Sequence, residues 1–144
     1  MARDRGGRMP VHQLLVYPIT NYTFNTPSYE ENANAMPLNR PLMQWFFSYY
    51  LRRRSDGTNP YLSPLRAASL RGLPSATVIT AQIDPLRSEG EAYANRLKEA
   101  GVATTYTNYE GVTHEFFTMS GVIDKAKQAV AEAAAGLKSS FGTA

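Results

Sequence analysis

The chain has 144 residues, 43% of them hydrophobic and 19% charged, which describes an ordinary folded domain rather than a disordered or membrane-spanning one. Fifteen basic against twelve acidic side chains leave a net charge of +3, too small an excess to imply a nucleic-acid partner, and the lack of cysteine excludes disulfides, thiolate chemistry and cysteine-based metal sites. No apolar run has the length of a membrane span and no opening segment has the charged-then-apolar form of a secretory signal, which makes the cytoplasm the default address.

The first apolar run lies within Val11 to Ile19, where Leu14-Leu15-Val16-Tyr17 is halted by Pro18. Continuous apolarity suits a parallel strand covered on both faces. Residues 20–39 are polar and read as a long loop or insertion. A helix is predicted from near Asn39, with Pro41 in its first turn, where a missing N–H costs little. Leu42, Trp45, Phe46, Tyr49 and Tyr50 recur at helical spacing, an aromatic face that is either buried or a contact surface. The basic triplet Arg52-Arg53-Arg54 falls in the predicted last turn, where cations complement the helix dipole. The proline-punctuated segment Asn59 to Leu65 is a loop, followed by one short helical turn over Leu65 to Leu70.

Ala76 to Ala81 reads as a second buried strand. Asp84-Pro85 closes it and opens a helix through Leu86, Tyr93, Ala94, Leu97 and Ala100, with Gly101 as the stop. A third strand spans Val102 to Tyr109, and Gly111 to His114 is the next loop. The last helix runs from about Val122 to Leu137, with Ile123, Ala126, Val130, Ala133 and Leu137 on one side. This βα alternation predicts the α/β class: a small, mostly parallel sheet of about three strands flanked by helices, in one domain over residues 1–144. The first strand is expected at an unpaired edge.

Asp84 follows one predicted parallel strand and His114 the next, so both side chains should emerge at the same edge of the sheet, where open α/β sheets bind ligands. A carboxylate accepting from one imidazole nitrogen fixes the tautomer and frees the other as a base. Taken singly, Asp84 before Pro85 also fits a helix cap, and His114 an ordinary loop histidine. His12 is expected at the remote end and receives no role. Glu110 and Glu115 beside His114 supply no recognisable ligand spacing, so no metal site is predicted.

The segment Leu73 to Gly90, ending in Asp84-Pro85-Leu86-Arg87-Ser88-Glu89-Gly90, resembles the acid-bearing segment of the hormone-sensitive-lipase-like esterases, where the motif reads approximately D-P-L-R-D-E-G. Gly111-Val112-Thr113-His114-Glu115-Phe116-Phe117 resembles the histidine segment of that family, and Leu15 to Pro18 and Asn59 to Leu65 also fit. The resemblance implies an incomplete α/β-hydrolase fold that represents its C-terminal portion, with Asp84 as triad acid and His114 as general base. Phe116 and Phe117 would lie near an acyl pocket, or pack in the core. It implies hydrolysis of small carboxylic esters without a cofactor. The residue after the histidine is often glycine in that family; here it is Glu115.

The family's G-x-S-x-G nucleophile elbow and H-G-G-G-type turn do not occur in these 144 residues, and Ser120, nearest His114 in sequence, lacks the elbow context. The expectation is therefore an esterase-class chain that is inactive or very weak alone. An alternative is a non-catalytic remnant that self-associates as a homodimer through its first-strand edge, or binds a partner. A third possibility is complementation by an N-terminal half that carries the serine.

Overall fold

In the computed structural model, which describes residues 1–143, three parallel strands form one sheet in the order β1-β2-β3. They are β1 (His12–Val16), β2 (Ser75–Ile83) and β3 (Thr104–Thr113). The connection from β1 to β2 carries α1 (Pro27–Glu31) and α2 (Arg40–Tyr50); α3 (Arg87–Glu99) joins β2 to β3, and α4 (Asp124–Phe141) follows β3.

β2 is central, with Leu15 opposite Val78 on one side and Tyr106 opposite Val78 on the other. Both of its faces are covered, so Ala76 to Ala81 are all buried, Thr77 and Thr80 included. Ala76 and Val78 pack with Tyr93, Ala94 and Leu97 of α3. Ile79 and Ala81 pack with Ala126, Ala129 and Ala133 of α4. Each large side chain buried this way contributes roughly 1.5–3 kcal/mol. The helices approach the sheet closely because glycines face it: a Cβ on Gly90 would lie 2.8 Å from Thr80 Cγ2, and one on Gly136 would overlap Thr77 Oγ1.

Local signals account for the helix ends. The Asn39 side chain accepts from the Leu42 N–H at 2.9 Å, capping α2 as its sequence predicts. After α3, Gly101 turns left-handed at φ 78°.

Several expectations are corrected. α2 stops at Tyr50 and Leu51 is extended, so Arg52-Arg53-Arg54 lies beyond the last turn and not in it. Asp56 accepts from the Arg53 N–H at 3.1 Å and starts a separate 3-10 turn over Arg54–Thr58. The helical turn after the prolines is a 3-10 turn at Pro64–Arg66. β3 continues through Gly111 to Thr113, where a loop is predicted, because the Gly111 N–H is held by Gln82 Oε1 at 2.7 Å and Thr113 pairs with Ile83. α4 begins at Asp124 and buries Ala126, Ala129 and Ala133, leaving Val130 exposed. The segment 20–39 contains α1, and its Tyr29 and Leu38 share a third apolar cluster with Met43, Phe47 and Leu86. The side of α2 bearing Trp45, Phe46, Tyr49 and Tyr50 is exposed.

Candidate active site

The end of β2 places Asp84, and the end of β3 places His114. Two steps along β2, from Ala81 to Ile83, match four along β3, from Tyr109 to Thr113. This bulge, with Gly111 at φ 69°, re-aims β3 so that its next residue faces the neighbouring strand. The His114 N–H bonds the Ile83 carbonyl at 3.3 Å, and His114 Nδ1 meets Asp84 Oδ2 at 2.7 Å.

Asp84 is 1% exposed and its two oxygens have different work. Oδ1 accepts from the Leu86 N–H at 2.8 Å, which supports the entry to α3, while Oδ2 meets the imidazole. Asp84 is not the helix cap, because α3 starts at Arg87 with Leu86 in the N-cap position; the Oδ1 bond closes a turn ahead of the helix. An ionised carboxylate only accepts, so opposite one Nδ1 is the nitrogen that donates, and a neutral imidazole in that tautomer keeps its lone pair on Nε2. Among the described residues, Nε2 has no hydrogen-bond partner, serine hydroxyls included.

His114 lines an open, mostly apolar groove of about 840 Å³ together with Tyr17, Leu38, Phe46, Tyr49 and Leu86. Phe116 is fully buried with Ile79, Val112 and Ala126, and Phe117 packs against the same cluster; neither lines the groove. His12 lies at the other end of the sheet, bonded through Nδ1 to Ser75 Oγ at 3.0 Å and Ser140 Oγ at 2.8 Å.

Sequence reasoning missed two supports. Within residues 20–39, α1 docks on the acid segment: Ser28 Oγ donates to the Pro85 carbonyl at 2.6 Å, and Asn32 Nδ2 reaches the Asp84 carbonyl at 3.4 Å. Pro27 at the first helical position followed by Glu30 was the available signal. The second is Glu89, also 1% exposed, whose Oε1 accepts from the N–H groups of Thr20 at 2.7 Å and Asn21 at 3.1 Å. It thereby pins the chain that follows β1. Burial pushes its carboxyl up to about 7, against the pull of those two N–H groups, and the charge of Asp84 adds to the rise. Its place three residues after Leu86 and four before Tyr93, inside an apolar stripe, marks it in the sequence.

A sequence profile of the alpha/beta hydrolase fold matches residues 1–118. The carboxylic ester hydrolase LipN of Mycobacterium tuberculosis is 42% identical over 119 residues, covering 82% of this chain and 32% of LipN. Carboxylesterase NlhH of the same organism is 36% identical over 141 residues, covering 96% of this chain and 44% of its own length. The crystal structure of the hyperthermophilic esterase from Pyrobaculum calidifontis superposes with a TM-score of 0.92 at 41% identity, covering 100% of this chain and 48% of that one. The chain thus spans about a third to a half of the length of the relatives it matches. Among the described residues no helix is long and apolar enough to cross a membrane. Motif, sheet and relatives agree: the chain belongs to the hormone-sensitive-lipase-like esterases of the α/β-hydrolase fold.

Proposed function

We propose that residues 1–144 act as one unit that supplies the acid, Asp84, and the general base, His114, of a carboxylic-ester hydrolase, with the serine nucleophile brought by residues outside this sequence. The observation that carries this reading is the buried Asp84 carboxylate 2.7 Å from Nδ1 of an imidazole that lines an apolar groove. His114 Nε2 takes the proton of the serine hydroxyl as its oxygen attacks the ester carbonyl carbon. Asp84 stabilises the imidazolium that forms. Collapse of the tetrahedral intermediate breaks the bond to the alcohol oxygen, which leaves with the proton from Nε2. Water then repeats the sequence, and its proton passes through His114 to the departing serine oxygen. The apolar walls around Phe46, Tyr49 and Leu86 favour a small ester with an apolar acyl or alcohol group.

On this reading the chain alone hydrolyses activated esters negligibly, because a base without a nucleophile or oxyanion donors lacks the main sources of rate. The test is hydrolysis of p-nitrophenyl butyrate by the chain alone and after addition of a serine-bearing N-terminal segment of an alpha/beta hydrolase. Restored activity that falls by ~10³-fold or more with His114→Ala supports the assignment. Restored activity indifferent to that substitution would remove it.

A second reading is favoured by one feature: β1 pairs with β2 on one side alone, leaving its other edge unpaired among the described residues. Two copies joined along that edge would extend the sheet and satisfy its open backbone groups. Sedimentation at increasing concentration tests this; a persistent monomer argues against it.

A further inference from the structure

Only two non-glycine residues among the described ones have positive φ, Tyr17 at 36° and Glu115 at 72°. Both adjoin the same imidazole. Glu115 follows His114 in the chain, and the Tyr17 ring centroid lies 4.3 Å from that of His114, with the planes tilted by 47°. Left-handed backbone outside glycine persists where the surroundings over-determine it, and such positions cluster at functional sites.

Tyr17 is held firmly at both ends. Its N–H bonds the Ile79 carbonyl of β2 at 2.6 Å, although the residue lies one step past β1. On its other side the ring meets Phe116, with centroids 6.2 Å apart. Burial pushes the pKa of its hydroxyl up, opposed by the Phe117 backbone beside it, so the group stays neutral near His114. The ring is thus a fixed wedge between the apolar core and the imidazole.

The Asp84 contact restrains His114 at Nδ1, and the Cβ–Cγ bond ties the ring to the end of β3, so the motion left to it is rocking of the ring plane. The Tyr17 ring packs against that plane. We propose that Tyr17 is a positioning residue for His114: its ring holds the imidazole plane so that Nδ1 stays on Asp84 and Nε2 stays at the groove. Its value for catalysis rests on the ester-hydrolase reading above; the positioning itself is measured without any hydrolysis.

The experiment is ¹⁵N imidazole NMR of the full chain, at alkaline pH where imidazole is neutral, comparing the parent with Tyr17→Phe and Tyr17→Gly. Phenylalanine keeps the ring; glycine removes it and suits the left-handed backbone. The parent and Tyr17→Phe are expected to show His114 protonated on Nδ1 alone. Tyr17→Gly is expected to shift both nitrogens toward the averaged values of mixed tautomers, with the remaining amide spectrum preserved. A Tyr17→Gly protein that keeps the parental His114 pattern overturns the proposal. If Tyr17→Gly loses its dispersed spectrum, Tyr17→Leu is read in its place. Loss of fold in both assigns the ring to packing and also overturns it. In a complemented, hydrolytically active assembly, kcat should fall at least about tenfold for Tyr17→Gly and remain near parental for Tyr17→Phe. No hydrolysis in any assembly counts against the ester-hydrolase reading, and the spectra still decide the positioning.

Discussion

Asp84 illustrates how one buried side chain carries two duties at once. Its first oxygen bonds the Leu86 N–H and the second meets His114, so removing the carboxylate loosens the start of α3 as well as the imidazole. Asp84→Asn keeps an acceptor for Leu86 but offers His114 a choice of tautomer. Hydrolysis in a complemented assembly is expected to fall by roughly 10³–10⁴-fold with stability changed far less, as rate and urea midpoint measured together would show. Two glutamates nearby make separate predictions. Glu115 sits at φ 72°, where side chains are disfavoured, and its side chain has no hydrogen bond among the described residues. Glu115→Gly relieves that backbone and is expected to be as stable as the parent or better, by up to ~1 kcal/mol in urea unfolding. A loss of that size would show that the Glu115 side chain matters.

Glu89 ties stability to pH. Its folded pKa of about 7 lies above the unfolded value of 4.5, so the folded state holds the proton more tightly. Stability is fully present below about pH 4.5, falls as pH rises through the interval to about 7, and is constant beyond, a change on the order of 3 kcal/mol at most. Glu89→Gln removes this slope. Unfolding midpoints of the two proteins across that range should converge at the acid end and separate toward neutrality. A difference independent of pH would contradict the assignment.

Among the elements, the helices flanking the sheet depend on missing side chains. Gly136→Ala would drive a methyl group into Thr77 Oγ1, and Gly90→Ala would bring one within 2.8 Å of Thr80 Cγ2. Each is expected to cost about 1–3 kcal/mol by overpacking, although alanine is the better helix former. Stabilisation in thermal melts would mean that α3 and α4 stand further from the sheet. α2 shows the opposite division. Its inward Phe47 is buried, whereas Tyr49 is 76% exposed and Trp45 52%. Phe47→Ala should cost about 3–5 kcal/mol, and Tyr49→Ser less than about 0.5 kcal/mol, by the same unfolding measurement.

At the scale of the whole molecule, the parts legible in the sequence are those governed by short-range chemistry. The Asn39 cap, the Gly101 stop and the doubly covered run from Ala76 to Ala81 each carry their cause within a few residues. Placing Asp84 and His114 on one sheet edge needed only the alternation of strands and helices. What stayed hidden depends on distant partners. Gly111 resembles a turn residue until Gln82 on the neighbouring strand binds its N–H. α1 is too short to declare itself without Pro85 and Ser88 beneath it. The arginine triplet was misplaced because Asp56 claims the Arg53 N–H and begins a new turn. The left-handed backbone of Tyr17 has no sequence signature at all. The Tyr17 N–H is held by the Ile79 carbonyl of the neighbouring strand, and its ring lies against the imidazole.

The proposed division of labour, with acid and base here and the nucleophile elsewhere, is tested most directly by ester hydrolysis with the serine-bearing segment absent and present. The expected result is background rate for the chain alone, and serine-dependent turnover on mixing that disappears with His114→Ala. Robust hydrolysis by the exhaustively purified chain alone, abolished by the same substitution, would contradict it.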